Sequence, residues 1–330
     1  MSAIWLFAVL CVGAMGFAIQ RGGTCTVAAV DEVLTSRRAH RLWAMLEASL
    51  WVAGGLALAQ GAHLAGSMPA GYALSAWTVA GGVLLGIGAW VNRACVFGAI
   101  ARLGSGEWAY AATPLGYYVG CLSVSLLSSQ VAARAQAEAS PLLQAAGLLG
   151  PVFLIYAVWR VWPGFQALSR PGRLVALRQK VWAPHAATIV IGVSFVITLL
   201  LAGRWAYTDV LADLARAMTG PSTMLGLPLL MLLALYIGAL VGGRTAGRWR
   251  STPVSVQQVL RCFSGGVLMA WGSLLIPGSN DGLILIGLPL LRPYAWLAFA
   301  SMCVAIAVAL LAQQAWTRSR QASAATSQST

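Results

Sequence analysis

Six cysteines, at positions 11, 25, 95, 121, 262 and 303, are the residues of this chain best suited to chemistry. No two of them form a CxxC pair and none falls at metal-ligand spacing, so neither a dithiol redox motif nor a zinc site is encoded. What remains is the chemistry of a single thiol. An unperturbed thiol has a pKa of about 8.5 and is neutral at pH 7. Its S–H is a weak donor on a polarizable atom, able to contact a soft anion without holding it. The other ionisable groups are few. His40, His63 and His185 lie scattered at the ends of apolar runs, and Glu107 has an interfacial setting. Asp31-Glu32 beside Arg37-Arg38 is expected to be a solvated helix with weak local ion pairs. Asp281 stands in apolar surroundings, where a carboxylate is a functional candidate by default. No GxxxxGK[ST] loop is present, so the chain carries no nucleotide-binding signature of that kind. No metal and no cofactor is implied.

The elements that must position these groups are apolar. Of 330 residues, 59% are hydrophobic and 9% charged, against roughly 25% charged in a soluble domain. Twenty-nine charged side chains cannot cover a core this size, which excludes a water-soluble globule, a disordered chain and a disulfide scaffold. The formal charge of +13 comes almost wholly from arginine. The arginines fall between apolar runs rather than in one patch, so topology explains them better than a nucleic-acid partner. A spanning helix needs about 20 apolar residues. Nine candidate spans follow, at about 3–20, 43–60, 73–91, 109–129, 142–159, 186–203, 225–243, 263–277 and 293–313. The first lacks a positive n-region and is expected to be retained. With nine crossings, 17 Lys and Arg residues fall on one side and 4 on the other. The positive-inside rule then puts the N-terminus outside and the C-terminus in the cytoplasm.

Positions 81–98 and 265–282 align without a gap at an offset of 184 and share six identities, four of them glycine. The same offset carries 3–20 onto 187–204, 43–60 onto 227–244 and 109–129 onto 293–313, and Thr24-Cys25 onto Thr208-Asp209. The expected fold class is thus an all-α polytopic membrane protein with two four-span repeats, 1–140 and 185–316. The linking span and loop, 141–184, hold one crossing that turns the second repeat upside down; 317–330 is too polar to pack and is expected to be a disordered cytoplasmic tail. Inverted repeats of this kind mark transporters, with the site at the repeat interface. The Gly-rich re-entrant elements ending at Cys95 and Ser279 are expected to enter from opposite faces and meet.

Three segments, Gly16-Phe-Ala-Ile-Gln-Arg-Gly-Gly-Thr-Cys25, Gly86-Ile-Gly-Ala-Trp-Val-Asn-Arg-Ala-Cys95-Val-Phe-Gly98 and Gly278-Ser-Asn-Asp-Gly282, resemble the YeeE/YedE sulfur-transport family. The resemblance implies an hourglass of two pseudo-symmetric halves that takes up thiosulfate, with cysteines at the constrictions handing the ion on through S–H···S hydrogen bonds. It lands on Cys95 and Cys25. The family's second-repeat Gly-Cys-Asn is Gly278-Ser279-Asn280 here, so half of the thiol relay is replaced by a hydroxyl.

The function this predicts is an inner-membrane permease, not an enzyme, for a sulfur-containing anion. Cys95 and Ser279 line its constriction, with Cys25 and Asn280 next along the path. Arg21 and Arg93 attract the anion or set topology. Lipid surrounds the protein, and a soluble sulfur carrier on the cytoplasmic side is a further candidate partner. Two alternatives stay open: a membrane thiol-redox or sulfane-sulfur transfer protein using Cys25 and Cys95, and a non-transporting pseudo-transporter subunit.

Overall fold

A computed structural model describes residues 3–66, 68–127, 135–136, 140–168, 181–218, 226–247, 249–276 and 278–328. The described residues are overwhelmingly helical. The chain runs through α1 (Ala3–Gly22), α2 (Thr26–Ser36), α3 (His40–Gly61), α4 (Ala76–Asn92), α5 (Val96–Gly104) and α6 (Ala112–Leu127). It continues through α7 (Pro141–Gln144), α8 (Ala146–Leu168), α9 (Pro184–Ala202), α10 (Tyr207–Ala217), α11 (Gly226–Thr245) and α12 (Val256–Leu275). Last come α13 (Asn280–Gly282), prolonged by a π-helical turn over Leu283–Gly287, and α14 (Pro293–Gln328). A two-residue antiparallel pairing, Gly71–Tyr72 with Ala135–Gln136, ties two loops together.

Seven helical stretches, beginning at Ala3, His40, Ala76, Ala146, Pro184, Gly226 and Pro293, are long and apolar enough to cross a membrane. An eighth results if the bent pair Val256–Leu275 and Asn280–Gly287 is one crossing. Outward faces carry large apolar side chains, among them Leu6, Leu10, Ile155, Val158, Ile237 and Val304. In a bilayer such faces meet lipid tails, so exposure here signals solvent identity rather than an unfilled core.

The segments 21–42 and 204–224 lie between the expected spans, the first with a solvated helix expected at Asp31-Glu32; each contains a short helix, α2 and α10, whose start is buried rather than solvated, with Thr26 and Thr208 almost fully buried. Both helices carry carboxylates, Asp31-Glu32 and Asp209, Asp213, and are too short to span, which hides them in an apolar-run reading. The tail over 317–328 continues α14 rather than leaving the helix. Extending an existing helix through Ala, Gln, Arg and Ser needs no new nucleus, so the polar tail stays helical while its side chains over 317–321 remain exposed. Arg134, Arg170, Arg173, Arg178, Lys180 and Arg248, six of the charges used for topology, lie outside the described residues.

Helix packing repeats itself between the halves. α1 packs on α11 as α9 packs on α3; α4 packs on α14 as α12 packs on α6; α10 meets α6 as α2 meets α14. The crossing of α4 with α12 is a reciprocal case. A Cβ on Gly81 would lie 2.7 Å from the Gly272 carbonyl oxygen, and one on Gly272 would lie 2.7 Å from that of Gly81. Gly88 and Gly265 stand in the same reciprocal relation, at 2.9 and 2.8 Å. The order 81, 88 against 272, 265 makes the two helices antiparallel. The offset of 184 exchanges Gly81 with Gly265 and Gly88 with Gly272, so the contact maps onto itself, as an isologous interface does. Without a hydrophobic drive between helices in lipid, such close backbone approach is how membrane helices hold together.

α8 is fastened by one carboxylate. Glu47 on α3 accepts from Arg160 Nε (2.9 Å) and Tyr156 OH (3.2 Å) on α8, and its other oxygen pairs with His185 Nδ1 at the start of α9. The Glu47 side chain is buried while its two ionic partners are one-third exposed. A Glu47→Ala variant is expected to lose roughly 1–3 kcal/mol of stability, the cost of leaving such donors without their acceptor. Thermal unfolding in detergent measures it; a midpoint equal to wild type would remove this clamp from the account.

Candidate functional site

Four long helices, α1, α4, α9 and α12, end inside the bundle and are each followed within a few residues by a short one. The residues that cap the short helices, Cys25, Cys95, Ala206 and Ser279, all have extended backbone. The two breaks of the first half are built alike. Gly23 and Arg93 both adopt left-handed conformation, at φ 58°. The next N–H, of Thr24 or Ala94, reaches back five residues to the carbonyl of Ile19 (3.3 Å) or Ala89 (3.0 Å). That is the Schellman closure of a helix C-terminus. In each case the cysteine follows immediately and opens the short helix. Asn92, fully buried, braces the second break: its Nδ2 donates to the Ala94 carbonyl (2.8 Å) and its Oδ1 accepts from Thr113 Oγ1 (2.9 Å).

The starts of α2, α5 and α13 meet at Thr26. Its N–H donates to Cys95 Sγ (3.1 Å), and its hydroxyl donates to Asn280 Oδ1 (3.1 Å), joining residues 254 positions apart. Cys25 Sγ lies against the bare α-carbon of Gly98, where a Cβ would come within 2.5 Å. Cys95, Ser279 and Asn280 are 0%, 1% and 0% exposed, and Cys25 is 9% exposed. α10 reaches the same place from the other half: Thr208 donates to Asp281 from its hydroxyl (2.6 Å) and its backbone N–H (3.4 Å). The Tyr207 hydroxyl donates to the Val96 carbonyl (3.5 Å).

Two buried donors at this junction have no hydrogen-bond partner among the described residues: Ser279 Oγ and Asn280 Nδ2. A buried donor without an acceptor costs about 1–3 kcal/mol. Together with the N-termini of α2 and α5, which carry partial positive charge, the junction offers an unused set of donors suited to an anion.

Of the residues singled out from sequence, Cys25, Cys95, Ser279 and Asn280 are brought together. The two arginines are not. Arg21 is buried four residues before Cys25, with Nη2 on Thr245 Oγ1 (2.8 Å) and its guanidinium 4.9 Å from the centre of the Phe17 ring. Arg93 is exposed on the turn before Cys95. Cys11, Cys121 and Cys262 are buried in helix packing away from the junction, and Cys303 is partly buried on α14. Among the described residues no three His, Cys, Asp or Glu side chains gather as a metal would require. Thr26 was missed by the sequence reading, although it follows Cys25 directly; a threonine opening a short polar helix carries no signal until its partners on α5 and α13 are known.

Membrane-length helices interrupted where their short continuations converge on one buried, donor-rich point define a multi-pass membrane transport protein. The chain belongs to the sulphur transport family, whose profile matches residues 21–308. It is similar to the thiosulfate transporter TsuA of Escherichia coli (strain K12), with 22% identity over 343 aligned positions covering 93% of this chain and 94% of that protein.

Proposed function

We propose that the protein is a permease that brings a sulfur-containing anion, thiosulfate first among them, through the junction of Cys25, Cys95, Ser279 and Asn280. The observation that carries this reading is the pair of orphaned donors, Ser279 Oγ and Asn280 Nδ2, buried beside the Cys95 thiol. The anion's oxygens would accept from hydroxyl and amide, and its terminal sulfur would rest against the thiols. Each contact is weak alone, which suits an ion that must also leave. The name of the similar protein, a thiosulfate transporter, supports the same substrate. Serine in place of the family's second-repeat cysteine substitutes a harder donor at one position, so an anion richer in oxygen than thiosulfate is the second candidate.

The proposed topology is nine crossings in two inverted halves, N-terminus outside and C-terminus in the cytoplasm of a bacterial inner membrane. The reciprocal glycine contacts of α4 and α12 support it: a two-fold relating antiparallel spanning helices runs perpendicular to them and therefore within the membrane plane. On this topology Arg21 and Arg93 face the cytoplasmic exit, where a soluble sulfur carrier would receive the ion.

Moving one charge against 100 mV costs about 2.3 kcal/mol, so a dianion entering a negative-inside cell faces roughly twice that. Uptake of labelled thiosulfate by a bacterium lacking its own sulfur-anion uptake tests the proposal. The expected result is accumulation well above the empty vector; no uptake of any sulfur anion tried would defeat it. Cys25 and Cys95 both adjoin Thr26, one along the chain and the other by hydrogen bond, which also favours a second reading, reversible disulfide formation in a thiol-redox protein. That reading requires the loss of two hydrogens on mild oxidation, read by intact-protein mass, and activity without transport.

A further inference from the structure

We infer that Asp281 is the proton-accepting carboxyl through which anion uptake is coupled to an inward proton gradient. The inference rests on the permease reading and deepens it. Asp281 directly follows Ser279-Asn280, is 2% exposed, and is held by Thr208 through both of its oxygens. It forms no ion pair among the described residues: the five acidic–basic contacts involve Glu47, Glu107, Asp209 and Asp213 instead. A buried carboxylate with no cation is costly inside a membrane, and neutral carboxyl is the form such a site favours. The other ionisable groups facing it are Asp209 and Tyr207 on α10, Tyr236 on α11 and Tyr117 on α6. Three of these four are phenols, and none supplies a positive charge.

The position gives the carboxyl a task. An ionised Asp281 one residue from the orphaned donors opposes a dianion seated there; a protonated one does not. Anion occupancy and Asp281 protonation are therefore thermodynamically linked, each favouring the other. Asp209 gives the carboxyl a route toward the outer face. Asp209 adjoins Thr208, its side chain is one-third exposed, and Arg204 lies 3.9 Å from it. On the proposed topology the segment carrying α10 faces outside. Asp281 also borders a cavity of about 10 Å³ whose other walls, among them Tyr207, Trp205, Phe97 and Phe195, are largely apolar. A proton taken up from outside travels inward with the dianion and reduces the net charge moved from two to one.

The test is thiosulfate uptake by purified protein in proteoliposomes. For wild type, an acid-outside gradient of about two pH units is expected to raise uptake several-fold, toward the tenfold per pH unit that one proton supports; a protonophore should abolish the rise. In Asp281→Asn, uptake is expected to be the same with or without the gradient. Wild-type uptake indifferent to the gradient overturns the inference, and so does an Asp281→Asn variant with the wild-type rise. If Asp281→Asn does not yield folded protein, Thr208→Val serves. It removes one donor to the carboxyl and is expected to move the half-maximal pH of uptake by roughly half a unit or more; a pH profile superimposed on wild type overturns the inference. The permease reading fails differently, by absent thiosulfate exchange at equal pH on both sides, which takes the inference with it.

Discussion

A Cys95→Ala variant is expected to take up labelled thiosulfate at least about tenfold more slowly than wild type, at unchanged membrane abundance. A hydrogen bond to a charged ligand is worth roughly 1.5–3 kcal/mol, which converts to about 10- to 150-fold. The variant leaves no room for compensation, because Cys95 is fully buried and its neighbours are committed elsewhere: Thr26 donates to it by N–H and to Asn280 by hydroxyl. The same N–H loses its acceptor, so part of the loss is the start of α2 coming loose. Two comparisons separate the effects. Cys95→Ser keeps a donor and an acceptor in place and should recover part of the uptake, whereas Cys121→Ala, deep in helix packing, should leave uptake near wild type. Full activity in Cys95→Ala would remove the thiol from the transport path.

A large stability effect is expected at the α4–α12 crossing. Alanine at Gly272 puts a Cβ 2.7 Å from the Gly81 oxygen and 2.7 Å from the Leu85 nitrogen, both backbone atoms that yield only if the helices separate. Overpacking of this kind costs about 1–3 kcal/mol, and more where backbone must shift. Gly88→Ala, its counterpart at the offset of 184, meets backbone at 2.8 and 2.9 Å and should cost a similar amount. Gly147→Ala on α8 meets nothing within 4 Å and should be neutral or gain up to about 1 kcal/mol from helix propensity. Unfolding midpoints in detergent decide the matter. Equal and mild effects at all three positions would mean that the crossing is looser than its geometry.

The long helices could be read from the sequence because a bilayer demands some twenty apolar residues in a row and little else. The short ones could not. α2 and α10 hold Asp31, Glu32, Asp209 and Asp213, and a run with that charge looks like a solvated connection between spans until its buried end is seen. Cys95 and Ser279 stood out through the aligned glycine segments, and Cys25 through the family resemblance. Nothing in the spacing could disclose that one threonine would join them, since Thr26 and Asn280 are brought together only by tertiary packing. Arginine spacing near the cysteines suggested two equivalent side chains; the fold instead buries Arg21 and exposes Arg93, because one ends a helix beside α11 and the other occupies the outside of a turn.

The last helix has 36 residues and at about 1.5 Å per residue is some 54 Å long, while the hydrocarbon layer takes up about 30 Å. The indole of Trp90 donates to Gln313 (3.0 Å), and Trp316 stacks with Arg320 at 5.2 Å, side chains typical of headgroup depth. From Trp316 to Gln328 the helix runs on for roughly 18 Å. A fluorophore attached at its far end would sit on a helical extension rather than on a slack tether, making that end a convenient reference point for distance measurements to the rest of the bundle.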